Sequence, residues 1–287
     1  MGIFASHETA INQFFMFNLQ YVERLRERST CERLNGIGVK RKKDDFASLV
    51  YSLYRPLEIG WSGEVLSSGG WEHTPRTCLS PDEKDPKVLL EHIVAMLAKN
   101  GVLKGWANQV PVTTGLLHPA DRTPRAIDLV HIDYPRITLV KLASEIDTPM
   151  YAAFEILGYG LALLCSRLHA YEIWHFDLPM MRGNRISLWV LGPTSFYRGP
   201  SLDWLQRGLN AGLGALDQWV FTDFIHMSFD FRVLPPGFQL PFATGEEVIR
   251  ACGGGGTGSN GHHPGAVSSI VHAIQNNVPA VWLVWSP

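Results

Sequence analysis

Between Glu8 and Arg28 the apolar residues Ile11, Phe14, Phe15, Leu19, Val22 and Leu25 recur at three- and four-residue steps. That spacing puts one stripe of a helix against a core. A second helix is predicted over Phe46 to Arg55, closed by Pro56, whose ring removes a helical hydrogen bond. Gly60 to Pro86, with "SSGGWEHTPRTCLSPDEKDP" at its centre, lacks periodicity and is expected to be a long surface connection. From Pro86 the pattern becomes regular. A helix is predicted over Lys87 to Lys99, stopped by Asn100-Gly101, followed by strands near Trp106 to Thr113, over Ala126 to Ile132 and over Ile137 to Ser144. The last two are joined by "DYPR". A long helix from Thr148 to His169, a strand at Ile186 to Leu191, a helix at Leu202 to Trp219 and a strand-like segment around Phe224 to Leu234 complete the regular part.

This order predicts an α/β fold, a mixed β-sheet flanked by helices. Three regions are expected: an N-terminal helical extension and linker over 1–85, an α/β core over 86–240, and a C-terminal Gly-rich loop and helix over 241–287. With 287 residues, 46% of them hydrophobic, the chain is long enough for a continuous core. The net charge of -2, from 25 basic and 27 acidic residues, supplies no overall field for nucleic acid, so any such contact must be local. Cys31, Cys78, Cys165 and Cys252 lie far apart without a CxxC pair and are expected to be reduced packing residues of a cytoplasmic protein. No segment reaches about 18 uninterrupted apolar residues, so neither secretion nor a membrane span is expected.

Candidate chemistry begins with the strand pair. Successive strand residues alternate faces, so Ile137, Leu139, Lys141 and Ala143 share one side. In the partner strand "AIDLVHI", Asp128 sits among apolar residues, where a carboxylate must be paired, metal-bound or neutral. A direct ion pair between Asp128 and Lys141 is therefore expected.

From about Pro86 to Arg198 the chain resembles the PD-(D/E)XK nuclease superfamily. The residues that carry the resemblance are "IDLV" with the first acid, "TLVKLAS" where an E-x-K strand would stand, and the helical pair Glu155 and Tyr159, which is similar to the Gln-x-x-x-Tyr element of some of these nucleases. The resemblance implies a restriction-endonuclease-like core and phosphodiester hydrolysis assisted by Mg²⁺, which two acids hold while a lysine activates water. Here Asp128 matches the first acid, Lys141 stands in place of the second and Ala143 in place of the lysine. An ammonium at an acid position repels a divalent cation, so a protein that has lost cleavage and binds nucleic acid or protein is expected. One alternative is an active Mg²⁺-dependent DNA endonuclease with relocated ligands drawn from Glu91, Glu145 or Glu155. The other is a non-enzymatic scaffold.

Lys40, Arg41, Lys42 and Lys43 form a basic run suited to phosphate contacts, its charge partly offset by Asp44 and Asp45. "GTGSNG" matches a glycine-rich phosphate loop but follows a helical rather than a strand-like segment. His262 and His263 are adjacent and make a poor metal pair. Gly158 and Gly160, inside the long helix, predict close packing against the sheet or a homodimer contact.

Overall fold

The computed structural model describes residues 3–16, 22–60, 70–112, 125–144, 146–169, 178–199, 201–220, 225–236, 238–252, 264–276 and 278–279. Among these run α1 (Ile3–Phe15), a 3-10 turn (Val22–Arg26), α2 (Arg28–Gly38), α3 (Lys43–Gly60) and α4 (Pro86–Lys99). Then come β1 (Trp106–Pro111), β2 (Ala126–Asp133), β3 (Arg136–Leu142), α5 (Pro149–Leu168), β4 (Arg185–Gly192), α6 (Asp203–Val220) and β5 (His226–Val233). The chain continues through α7 (Gly245–Cys252) and α8 (Pro264–Gln275) to β6 (Val278–Pro279). The strands form one sheet whose spatial order is their chain order. β1, β2 and β3 make an antiparallel meander, β3, β4 and β5 run parallel, and the two residues of β6 add an antiparallel edge. The protein is α/β, with a mixed sheet flanked by helices.

Local chemistry sets the helix starts nearest the site. Asp85 caps α4 by accepting from the Lys87 N–H at 2.8 Å, and Thr148 caps α5 by accepting from the Tyr151 N–H at 3.2 Å. Each cap is followed by a proline at the first helical position, where the missing N–H costs no intrahelical bond. α5 is buried on every face from Met150 to Ser166 and apolar there apart from Tyr151, Glu155, Tyr159 and Ser166, as a helix at the centre of a fold is largely apolar all round. It is the one described helix long and apolar enough to cross a membrane, and 94% of its apolar window is buried within the protein.

Two apolar clusters cover the two faces of the sheet. On one side α1, α3, α5 and α6 pack with Ile137, Leu139, Ile186 and Leu188. On the other, α4, α7 and α8 pack with Leu129, Val140 and Leu142. Gly160 fits the expectation of close packing on the sheet, since a Cβ there would lie 2.6 Å from Leu188 Cδ2. α3 and α6 approach through Gly208 and Gly212. A Cβ on Gly212 would stand 2.6 Å from the Phe46 carbonyl oxygen, which moves only if the backbone of α3 moves. Gly212→Ala is therefore expected to lower stability by about 1–3 kcal/mol by overpacking, despite alanine's better helix propensity. An unchanged or raised urea midpoint would contradict this.

Several expectations are corrected. α3 runs through Pro56 to Gly60 rather than ending at the proline. Leu53, Tyr54 and Leu57 are buried around it, and at about 1.5–3 kcal/mol per large apolar side chain their burial outweighs the ~3 kcal/mol cost of an interior proline. The first helix stops at Phe15, and a separate helix, α2, holds Leu34 in the core. The connection before Pro86 is not wholly surface. Trp71 is fully buried, and its indole N–H donates to Ser166 Oγ at 3.1 Å. All four cysteines carry free thiols, but Cys78 is exposed and packs against no core.

Candidate functional site

The register Leu129↔Val140 sets Asp128 directly opposite Lys141 in the β2/β3 pair. Both are buried, and their strand neighbours Ile127, Leu129, Val140 and Leu142 are apolar and buried. Their ammonium and carboxylate lie 3.6 Å apart, but neither is the other's nearest partner. Lys141 Nζ is 2.7 Å from Glu155 Oε2 on α5 and 3.7 Å from Asp147 Oδ2 in the β3–α5 loop. Asp128 Oδ1 instead pairs with Lys87 Nζ, from the first turn of α4, at 2.8 Å. Asp128 Oδ2 also accepts from the Leu142 N–H at 2.8 Å. The expected direct pair is thus one edge of a wider network, because α4 and α5 both bring charged side chains to this end of the strands.

The periphery extends it. Glu91, one turn after Lys87 on α4, lies 3.7 Å from Lys87 Nζ and accepts from Gln109 Nε2 at 3.3 Å. Asp147 pairs with Arg26 Nε at 3.2 Å and accepts from Ser144 Oγ at 3.0 Å. Arg26 lies over the Tyr151 ring, 4.2 Å from its centroid, and donates to the Tyr151 hydroxyl at 2.9 Å. The Tyr159 hydroxyl donates to Glu155 Oε1 at 3.2 Å, so the helical pair Glu155 and Tyr159 meets the strand residues at one point. Gln109 faces Asp128 from β1 with a left-handed φ of 47°, an unfavourable backbone for a residue with a Cβ.

Four carboxylates, Glu91, Asp128, Asp147 and Glu155, therefore meet three cations, Lys87, Lys141 and Arg26. The surplus acid shows in the proton affinities. Burial, then the charge of Asp128, pushes Glu91 up to about 8, so at neutral pH it holds a proton. Burial also raises Asp128, against the pull of Lys141 and Lys87. Burial alone would lower Lys141, but Asp128, Glu155 and Asp147 raise it above its ordinary value and keep it charged. Tyr159 is raised by burial and by Glu155 and stays a neutral donor.

This arrangement bears on the expected Mg²⁺ ligands. Among the described residues no group of three or more His, Cys, Asp or Glu side chains is placed to hold a metal ion. Asp128, Asp147 and Glu155 do gather around one point, but the Lys141 ammonium occupies it. These residues do not fit a divalent cation. Glu91 is on the network's edge, and Glu145 lies outside the described residues, as do "GTGSNG", His262 and His263.

Lys40, Arg41, Lys42 and Lys43 form the α2–α3 junction and the start of α3. Lys40, Lys42 and Lys43 are exposed, whereas Arg41 reaches over the Phe14 ring, its Cζ 5.4 Å from the centroid. The run sits one helix length, about 15 Å, from the end of α2 nearest the network. His131 is stacked on Trp106, the ring centroids 4.6 Å apart, and serves packing.

Sequence reasoning missed Lys87, Asp147, Arg26 and Gln109. Lys87 and Glu91 do carry the i,i+4 signal of a helix-surface pair, but nothing local says that the pair turns inward. Asp147, just before Thr148 and Pro149, resembles an ordinary helix start.

Beside the network, at the carboxyl ends of β3 and β4, opens a cavity of about 650 Å³. Lys87, Ala143 and Asp147 belong to its wall. No protein-family model, curated protein or solved structure matches the chain.

Proposed function

We propose that the chain is a PD-(D/E)XK nuclease-like protein that does not cleave, in which a lysine ammonium takes the place of the catalytic metal and binding is the retained activity. The observation that carries this reading is the position of Lys141 Nζ, between 2.7 and 3.7 Å from the carboxylates of Glu155, Asp128 and Asp147. A divalent ion brought to the same acids would meet that fixed positive charge in a poorly solvated site, where like-charge repulsion reaches kcal/mol. Supporting context comes from the order α4, meander, α5, parallel β4 around the acids. Nucleic acid is the partner class to which the exposed Lys40, Lys42 and Lys43 are suited.

Calorimetric titration of Mg²⁺ and Mn²⁺ beside a plasmid-nicking assay tests the reading. The natural chain is expected to give neither metal binding nor nicking, and the double variant Lys141→Glu with Ala143→Lys to gain Mg²⁺ binding. Mg²⁺-dependent nicking by the natural chain, abolished by Asp128→Asn, would overturn it in favour of an endonuclease with relocated ligands. A double variant that folds but binds no Mg²⁺ would count against the family resemblance. On the same sample, affinity for duplex DNA should fall with salt and with neutralisation of Lys40, Lys42 and Lys43, and indifference to both would exclude this partner at the basic run.

A further inference from the structure

We propose that the cavity at the carboxyl ends of β3, β4 and β5 binds a small amphipathic anion, a molecule with an apolar body and a single carboxylate or phosphate-monoester head. This site does not depend on the nuclease-like reading, since its apolar floor and the arginines Arg28 and Arg198 lie outside the buried network, which lends only Arg26, Lys87, Ser144 and Asp147 to the wall.

Topology makes the space. Leu142 to Ser144, Leu191 to Pro193 and Leu234 mark where three parallel strands end, and all of them line the cavity. In open α/β sheets ligands bind outside the carboxyl ends of parallel strands. The volume of about 650 Å³ falls within the ~300–1,000 Å³ of pockets that enclose small ligands. Leu90, Leu142, Leu191, Leu234, Phe238 and Leu240 give it an apolar floor, which calls for an apolar body.

The mouth selects charge. Four helices begin at this cavity: α2 at Arg28, α4 at Pro86, α5 at Pro149 and α6 just after Leu202. Their partial positive ends favour an anion. The acidic lining residues are Glu32, Asp85 and Asp147. Asp147 is neutralised by Arg26, and Asp85 is engaged by the Lys87 N–H at the cap of α4. Lys87 itself faces Asp128. Arg28 Nη2 donates to the Arg198 carbonyl at 2.8 Å, which joins the two residues at one side of the opening. Among the described residues no carboxylate lies within ion-pair distance of either guanidinium. Arg28 and Arg198 stand against the exposed Glu32 and Asp85, so the lining as a whole, with Arg26 and Lys87 beside Asp147, carries one more cation than carboxylate, and a guanidinium fork matches the paired oxygens of a carboxylate or phosphate.

The test is calorimetric titration of the full chain with sodium decanoate, decyl phosphate, decan-1-ol and decyltrimethylammonium. One-to-one binding of an anionic probe at least about tenfold tighter than decanol is expected, with no binding of the cation. Whichever anion binds more tightly identifies the head group. Arg28→Glu with Arg198→Glu alters only exposed side chains and should weaken the anions by about tenfold or more while leaving decanol unchanged. Ser195→Trp, an exposed change in the cavity wall, should remove binding of every probe with an unaltered circular dichroism spectrum. The proposal is overturned if the anions bind no better than decanol, if the double charge reversal binds them like the natural chain, or if the cation binds more tightly.

Discussion

Lys141→Met is expected to lower the free energy of unfolding by about 3–5 kcal/mol, the usual penalty for leaving buried charge uncompensated. The loss is not shared equally among its partners. Asp128 keeps Lys87 at 2.8 Å and Asp147 keeps Arg26 at 3.2 Å, but among the described residues Glu155 keeps only the Tyr159 hydroxyl. The stranded group is therefore Glu155. Removing its charge as well, in Lys141→Met with Glu155→Gln, should restore most of the stability, because a buried pair exchanged for neutral groups is often close to neutral in energy. Urea unfolding at pH 7 of the natural chain, the single and the double variant measures both effects. A single variant that loses less than about 1 kcal/mol would place the energy of the network elsewhere, as would a double variant no better than the single.

The second large effect is in pH. Glu91 holds its proton up to about 8 in the folded protein, whereas the unfolded chain releases it near 4.5. Between those values the folded state binds the extra proton, so stability derived from Glu91 is complete at the acid end of the window and is lost as pH rises through about 8. The slope approaches ~1.4 kcal/mol per pH unit for one full proton. Glu91→Gln keeps an acceptor for Gln109 and cannot ionise, so its stability should hardly change across the same interval. The variant should match the natural chain near pH 5 and exceed it by a few kcal/mol above pH 8. Parallel stability curves for the two proteins across this window would show that Glu91 is ionised throughout.

What could be read in advance follows the range of the interactions. The first five strands came out within two residues of expectation because their apolar alternation and bounding turns are local, and α5 because its caps and apolar length are local too, whereas the two-residue β6 was not expected. α2 escaped notice since Gly36 and Gly38 weaken its helix propensity, although Gly38 is glycine to make room for the Trp204 ring, which a Cβ would meet at 2.1 Å. Asp128 and Lys141 stood out since charge within apolar strands is conspicuous. Lys87, Asp147 and Arg26 did not, because each sits at an element end where a solvated charge is ordinary. Their roles arise only when α4, the β3–α5 loop and the Val22–Arg26 turn converge. The left-handed Gln109 had no signature either, as the residue is not a glycine.

The spatial order of the strands, identical to their order in the chain, has a consequence for assembly. A sheet of this kind grows only at its free edge, so no strand has to be inserted between two that are already joined. Each new strand emerging from the ribosome meets an edge built by the strand before it, so each step closes only the segment between consecutive strands. The contacts that must wait are those of α1 and α3 with α5 and α6, which tie the beginning of the chain to segments more than a hundred residues later. α1 and α3 precede the sheet in the chain, and beyond their contact with each other, Phe14 against Phe46, they wait for α5, which follows β3, and for α6, which follows β4.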